Sequence, residues 1–373
     1  PAAAAERAFL AWLGRCGVQT EGLALRESGL AGRGLFAERG FAAGAVICRI
    51  PRALALTPAR AAESALGRAA LAAGASPELA TWLYVAQGRC DAAHPWHPYL
   101  ASLPEATPGP AGWPGGALRE LRGTGLPLRA REARQALEEE LDAVWPELPA
   151  GFRGAVPRER VLWARGVSLS RGFPAALSEE TDVVALPGDT GGAPSWAPAQ
   201  AQGCLLPLLD MANHGGSSSV RWEARDGTIA LRALAEVGAG DEVLIDYGVD
   251  RSNEELLLCF GFALPHNPFD AASGIVLVVE QEGQQATEAC AGALLREGIP
   301  CASAGSGHAL LVGPFDVGGP PWRAALPPRL VRALEALEEE TATGAGSRQP
   351  LAALQAALVQ RQEALRASAQ GDA

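Results

Sequence analysis

The chain has 373 residues, 48% hydrophobic and 20% charged, an ordinary globular composition with ample material for a core. A net charge of −11 excludes the basic face of a general nucleic-acid binder. No apolar run approaches the roughly 20 residues that span a bilayer, which excludes a helical membrane protein. At about 150 residues per domain, two or three domains are expected. The acidic balance fits a basic peptide partner and fits equally the charge that keeps soluble proteins dispersed.

The 7 cysteines are scattered and none forms C-x-x-C. This argues against a zinc cluster or a disulfide framework and for a reducing compartment. Every basic residue is arginine and none is lysine, an alanine-, glycine- and arginine-rich bias of the kind a GC-rich coding sequence leaves. The start at Pro1 in place of Met fits a removed leading segment or a shortened sequence. The first residues carry no arginine- or serine-rich transit pattern.

Along the chain, Glu6–Val18 spaces Phe9, Leu10, Leu13 and Val18 as a short helix does. The period then changes. Leu23–Arg26, Gly34–Ala37 and Ala45–Pro51 read as short strands between glycine-rich turns. The bracketed turn Ala31-Gly32-Arg33-Gly34 is not followed by an amphipathic helix, which argues against a dinucleotide phosphate loop. Pro58–Ala73, Pro77–Gln87 and Ala130–Val144 carry apolar residues at helical spacing. His94 and His97 lie between them, but Pro95 and Pro98 prevent the regular helix that would align a metal pair, so no metal is expected. Val161–Phe173 is a further helix, and Glu179–Gly203 reads as a long, flexible or disordered loop.

Leu205–Phe269 concentrates the chemistry. Asp210-Met211-Ala212-Asn213-His214 ends an apolar run. Val243–Tyr247 is strand-like and ends in one of only 3 tyrosines. Ser252-Asn253-Glu254-Glu255 is an S-x-x-E capping box before an apolar helix. Beyond it, Gly274–Glu280 reads as a strand. Glu288–Glu297, Pro328–Glu339 and Leu351–Arg366 read as amphipathic helices, with a disordered tail over Ser368–Ala373.

Jointly, D-x-x-N-H ending at His214, G-D-E-V-x-x-x-Y ending at Tyr247 and S-N-E-E-L-x-x-x-x-G-F ending at Phe262 resemble the core of the SET-domain protein methyltransferases. The likeness is to the branch that includes the Rubisco large-subunit lysine methyltransferases. His94–Pro104 is similar to the W-x-x-Y-x-x-x-L-P segment of that branch's helical insert. The resemblance implies an α+β fold of short β-sheets with a pseudoknot, a helical insert and a mainly helical C-terminal domain. It implies the divisions 1–56 (N-terminal helix and first part of the SET domain), 57–160 (insert), 161–269 (SET core) and 270–373 (C-terminal domain). That last domain either helps hold a protein substrate or only stabilises the catalytic one.

The activity implied is transfer of a methyl group from S-adenosylmethionine to a lysine of a non-histone protein, Rubisco or another soluble enzyme. The partner is then a protein with an accessible lysine, with no nucleic acid and no membrane. A monomer in the chloroplast or cytoplasm is expected. Transfer to a histidine ring, and a binding module that keeps the fold without turnover, remain as alternatives. If lysine is the acceptor, this lysine-free chain cannot modify itself.

The resemblance assigns Tyr247 as catalytic. It assigns Ala31, Gly32, Arg33, Arg171, Asn213, His214 and Phe262 to the cofactor, and Ser170, Arg171, Phe173, Asp210, Trp222, Tyr247 and Phe260 to the substrate side. Asp210 reads alternatively as a turn cap. Two departures stand out. Ala175 replaces a basic residue that the branch often carries four positions after the arginine. Phe260 replaces a tyrosine that it often carries thirteen positions after the catalytic one, which implies a roomier pocket that permits di- or trimethylation.

Overall fold

The computed structural model describes residues 2–29, 32–121, 124–178, 183–185, 203–215, 219–248, 251–264, 267, 271–272, 275–278, 301–304, 309–312 and 315–316. The chain divides into two units, one formed by 1–108 and 134–249 and the other by 109–133 and 250–373.

In the first unit, α1 (Ala2–Arg15) precedes β1 (Leu23–Glu27), β2 (Arg33–Ala37) and β3 (Val46–Pro51). Four helices follow: α2 (Pro58–Glu63), α3 (Ala65–Ala72), α4 (Pro77–Cys90) and α5 (His97–Ser102). The expected single helix over Pro58–Ala73 is two. Ser64 turns to an extended ψ of 159° and its hydroxyl caps the second helix by accepting from the Gly67 N–H. A serine competes with the backbone for hydrogen bonds, so it ends one helix and starts another. Helix α4 starts at Ser76, which caps the Leu79 N–H, with Pro77 in the first turn. It is buried almost all round, from Leu79 to Gly88, and packs on α2, α3, α5 and α9 (Glu159–Arg171). The remaining helices here and across the boundary at 133 are α6 (Gly115–Glu120), α7 (Leu126–Val144) and α8 (Ala150–Ala155).

After α9 come β4 (Gly172–Phe173), β5 (Val183–Ala185), β6 (Cys204–Leu205), β7 (Asn213–His214), β8 (Val220–Arg225), β9 (Thr228–Ala233) and β10 (Leu244–Ile245). A four-stranded antiparallel sheet runs in the order β3-β9-β8-β5. Its central hairpin turns on Asp226 and Gly227, both at positive φ, as the tight turn matching strand twist requires. Val220, Trp222 and Ala224 alternate inward against Arg221, Glu223 and Arg225. The edge strand β5 lies within the expected loop 179–203; the rest of 179–202 falls outside the described residues.

Two smaller pairings position the site. β1 and β2 form a hairpin, with Glu27 opposite Arg33. β10 lies parallel to β7, with Leu244 opposite Asn213 and Ile245 opposite His214. A parallel pair cannot be closed by a tight turn, so the chain makes a 29-residue excursion through β8 and β9 between them. On its other side the same late segment bonds to β2, through Val243 N–H to Leu35 O and Ala37 N–H to Asp241 O.

The second unit contains α10 (Asn253–Phe260), closed at its start by the expected Ser252–Glu255 capping box and at its end by Gly261 in the left-handed conformation. It also holds β11 (Ala271–Ala272), β12 (Ile275–Val278), β13 (Cys301–Ala304), β14 (Ala309–Val312) and β15 (Phe315–Asp316). β12 falls within the strand expected at 274–280. The helices expected at 288–297, 328–339 and 351–366 lie outside the described residues.

Candidate active site

The chain enters the site at Leu208, whose φ of 79° is strained for a residue with a Cβ. Such a conformation costs on the order of 1–3 kcal/mol and persists only where packing enforces it. Leu208 is buried, and the short 3-10 turn Leu209–Met211 follows it directly. This turn aims Asp210 inward. Its side chain has no exposure, and one carboxylate oxygen accepts from the Tyr99 hydroxyl at 2.7 Å and from Arg171 at 3.2 Å. Arg171, the last residue of α9, also donates to the Asp210 carbonyl at 2.7 Å. Burial pushes the Asp210 carboxyl above the usual range, while Arg171 and Tyr99 pull the other way. The other carboxylate oxygen has no hydrogen-bond partner among the described residues.

Met211, the only methionine in the chain, lies between two guanidinium groups, 3.7 Å from Arg33 and 3.9 Å from Arg171. The Arg33 side chain also reaches Glu6 at 3.1 Å and the Ser102 carbonyl at 2.9 Å. Next come Asn213 and His214 on β7. The Asn213 amide donates to Glu242 at 2.7 Å and, more weakly, to the Arg33 carbonyl at 3.4 Å. A carboxylate at that distance fixes the amide with nitrogen toward Glu242 and its oxygen available as an acceptor.

Tyr247 follows β10. Its backbone N–H donates to His214 Nδ1 at 3.2 Å, which assigns the ring proton to Nε2. Its hydroxyl donates to the Ala212 carbonyl at 3.0 Å, and the two rings lie 5.4 Å apart. Burial pushes the Tyr247 hydroxyl up to about 12; Arg171 opposes this, and the carboxylates of Asp210 and Glu242 add to it. The hydroxyl therefore keeps its proton at physiological pH.

The fold thus gathers Gly32, Arg33, Arg171, Asp210, Asn213, His214 and Tyr247 through linked contacts. Gly32 has a φ of 57° and open space where a Cβ would sit, as suits a backbone that a ligand approaches closely. Ala31 lies outside the described residues. The Ser170 hydroxyl points to its own helix, with Val167 O at 3.5 Å. Phe173 and Trp222 meet edge to face at 5.5 Å, both buried, and the Trp222 Nε1–H has no partner among the described residues. Phe260 and Phe262 belong to the second unit, where their rings are 6.3 Å apart and Arg251 stacks over Phe260. Among the described residues no group of three His, Cys, Asp or Glu side chains could hold a metal.

Tyr99, Glu242 and Ser28 escaped the sequence reading. Tyr99 and Glu242 stood inside recognised motifs, but nothing local indicated their partners 111 and 29 residues away. Residues 32–248 match the family described as SET domain.

Among curated proteins, the chain is 26% identical over 272 residues to the chloroplastic [fructose-bisphosphate aldolase]-lysine N-methyltransferase of Arabidopsis thaliana, covering 69% of this chain and 51% of that protein. It is 24% identical over 279 residues to the chloroplastic Rubisco large-subunit N-methyltransferase of Nicotiana tabacum, covering 70% and 52%. The chain therefore spans about half the length of these relatives. Among solved structures, the SET domain of LSMT bound to lysine and AdoHcy superposes with a TM-score of 0.66 at 21% identity, over 90% of this chain and 71% of that one. Rubisco LSMT bound to AdoMet gives 0.64 at 19%, over 98% and 92%. With its family match, its short sheets and the parallel β7–β10 crossing, the chain has the α+β SET fold and belongs to the SET domain family.

Proposed function

We propose that this chain is a protein-lysine N-methyltransferase that uses S-adenosylmethionine. The observation that carries the proposal is the Tyr247 hydroxyl. It is anchored on the Ala212 carbonyl, one residue before Asn213-His214, and is kept protonated by burial. The names of the plant relatives support the reaction class. They also support an enzyme as the protein substrate and the chloroplast as the first compartment to test. No described helix is long and apolar enough to cross a membrane.

The residues present fit the cofactor. Gly32 leaves backbone open, and the Asn213 amide oxygen is a fixed acceptor for a cationic ligand. Backbone near Gly32 and Arg33, with Asn213 and His214, would hold it. When bound, it supplies a methyl group on a positively charged sulfur. The transfer is an in-line displacement, so the protein's task is alignment and exclusion of water.

The acceptor amine must be neutral. A free lysine, with a pKa near 10.4, requires about 3.3 kcal/mol to deprotonate at pH 8. Apolar surroundings lower that cost by disfavouring the charged form, and Phe173 and Trp222 supply apolar surface. Tyr247 cannot be a base while its proton is committed to Ala212 O. Its oxygen instead offers lone pairs that orient the amine nitrogen. The Tyr99–Asp210–Arg171 cluster fixes the turn that leads into Asn213 and His214. Radiolabelled methyl transfer into fractionated cell extract, with the native protein and Tyr247→Phe side by side, tests the proposal. Absence of label from every protein in the native sample would refute it.

A further inference from the structure

Glu242 holds three separate segments together. One carboxylate oxygen accepts from the Asn213 amide at 2.7 Å, and the other accepts from the Ser28 hydroxyl at 2.9 Å. These partners stand 29 and 214 residues away in the chain. Glu242 is delivered by the late segment that bonds to β2 on one side and to β7 on the other, opposite Phe36. The carboxylate also presses on the face of β2 at Gly34. A Cβ there would lie 2.1 Å from Glu242 Oε1 and 2.8 Å from Asn213 Nδ2. Gly34 is thus the bare floor on which the carboxylate and amide rest. The Ser28 N–H also donates to Gly32 O at 2.6 Å, which ties these two residues together.

We infer that Glu242 is a positioning residue for the cofactor: it clamps Ser28, which is tied to Gly32, and the Asn213 side chain in one arrangement, so that the Gly32 backbone and the amide oxygen face the same ligand. This rests on the cofactor reading above. A charged acceptor strengthens both hydrogen bonds relative to neutral ones. Without it the Asn213 amide keeps only the longer bond to the Arg33 carbonyl, and more of the ordering cost falls on ligand binding.

The test is calorimetric binding of S-adenosylmethionine and S-adenosylhomocysteine, with melting temperature measured on the same samples. Glu242→Ala is expected to weaken both ligands at least tenfold, raising KM for the cofactor more than KM for the protein substrate. Glu242→Gln keeps an acceptor for Asn213 and can donate to Ser28, so it is expected to bind within about threefold of native. Gly34→Ala displaces the carboxylate from the other side. It is expected to copy Glu242→Ala, and the two changes together are expected to cost no more than either alone. Unchanged affinity in Glu242→Ala and Gly34→Ala, with only a lower melting temperature, overturns the inference and leaves the cofactor reading standing. No binding by the native protein overturns both.

Discussion

The hydroxyl of Tyr247 lies 3.0 Å from the carbonyl oxygen of Ala212, across a parallel strand pair closed by a long excursion of the chain. That bond decides the chemistry open to the tyrosine: donor to the backbone, acceptor toward a substrate. Tyr247→Phe is therefore expected to bind S-adenosylmethionine as the native protein does and to lose about 10²-fold in kcat, the usual scale for one preorganised polar contact. Equal turnover of the two proteins in a methyl-transfer assay would show that the hydroxyl is not used.

All 3 tyrosines titrate late. Burial raises Tyr84 and Tyr247, the latter to about 12, and burial beside Asp210 raises Tyr99 well above the ordinary value of 10. The stability tied to the Tyr247 shift is fully present below pH 10 and is lost as pH rises through about 12. Ultraviolet titration of the folded protein should show little tyrosinate at pH 10, whereas the urea-unfolded chain should be half-ionised there. Between pH 7 and 10, kcat/KM should rise with the neutral fraction of the substrate amine, without a contribution from Tyr247. A flat profile would instead favour an acceptor already neutral near pH 7, such as histidine.

Asp210 separates a structural role from a substrate contact. Its side chain is fully enclosed by Tyr99 and Arg171. Asp210→Ala removes the carboxylate that neutralises the guanidinium, leaving it only the backbone carbonyl, and should cost about 3–5 kcal/mol, while Tyr99→Phe removes one charged hydrogen bond and should cost about 1.5–3 kcal/mol. Urea denaturation measures both. An Asp210→Ala protein of native stability with a raised KM for the protein substrate would favour the substrate-side role of Asp210 over the structural one.

His94 provides an acid-sensitive position remote from the chemistry. It is buried against Tyr84, with its ring centroid 4.6 Å away, and its Nδ1 accepts from the Trp96 N–H. Burial lowers it from 6.5 to about 4, with Asp91 opposing and His97 assisting. The stability it contributes is present above pH 6.5 and is lost as pH falls through about 4. His94→Asn keeps an acceptor but cannot take up a proton, so its melting temperature should fall less than that of the native protein over this interval. Parallel curves would remove His94 from the account.

Phe260 bears on product multiplicity. Restoring a hydroxyl by Phe260→Tyr should shift products toward monomethyl-lysine if the missing group is what limits further transfer. Mass spectrometry of a methylated substrate reads this directly. A native enzyme that yields only the monomethyl product would contradict the expected di- or trimethylation.

Several features were legible locally. The change of period over Leu23–Arg26, Gly34–Ala37 and Ala45–Pro51 marks short strands, and Ser252–Glu255 marks a helix start. Each depends on neighbours a few residues apart, and short-range geometry writes such patterns directly into sequence. The break at Ser64 was less visible, because the apolar spacing runs straight through it while the hydroxyl's choice of partner does not.

The sequence by itself determined the family and the order of the motifs that contain Asn213, His214 and Tyr247, because these are runs of residues with fixed spacing. Only the tertiary structure decided what braces them. The bonds from Tyr99 to Asp210 and from Ser28 to Glu242 close loops of 111 and 214 residues, and nothing near either end specifies the other. Such pairings arise when packed strands and helices bring distant polar groups into a space with little water, where an unpaired group is costly and the nearest complementary one becomes its partner.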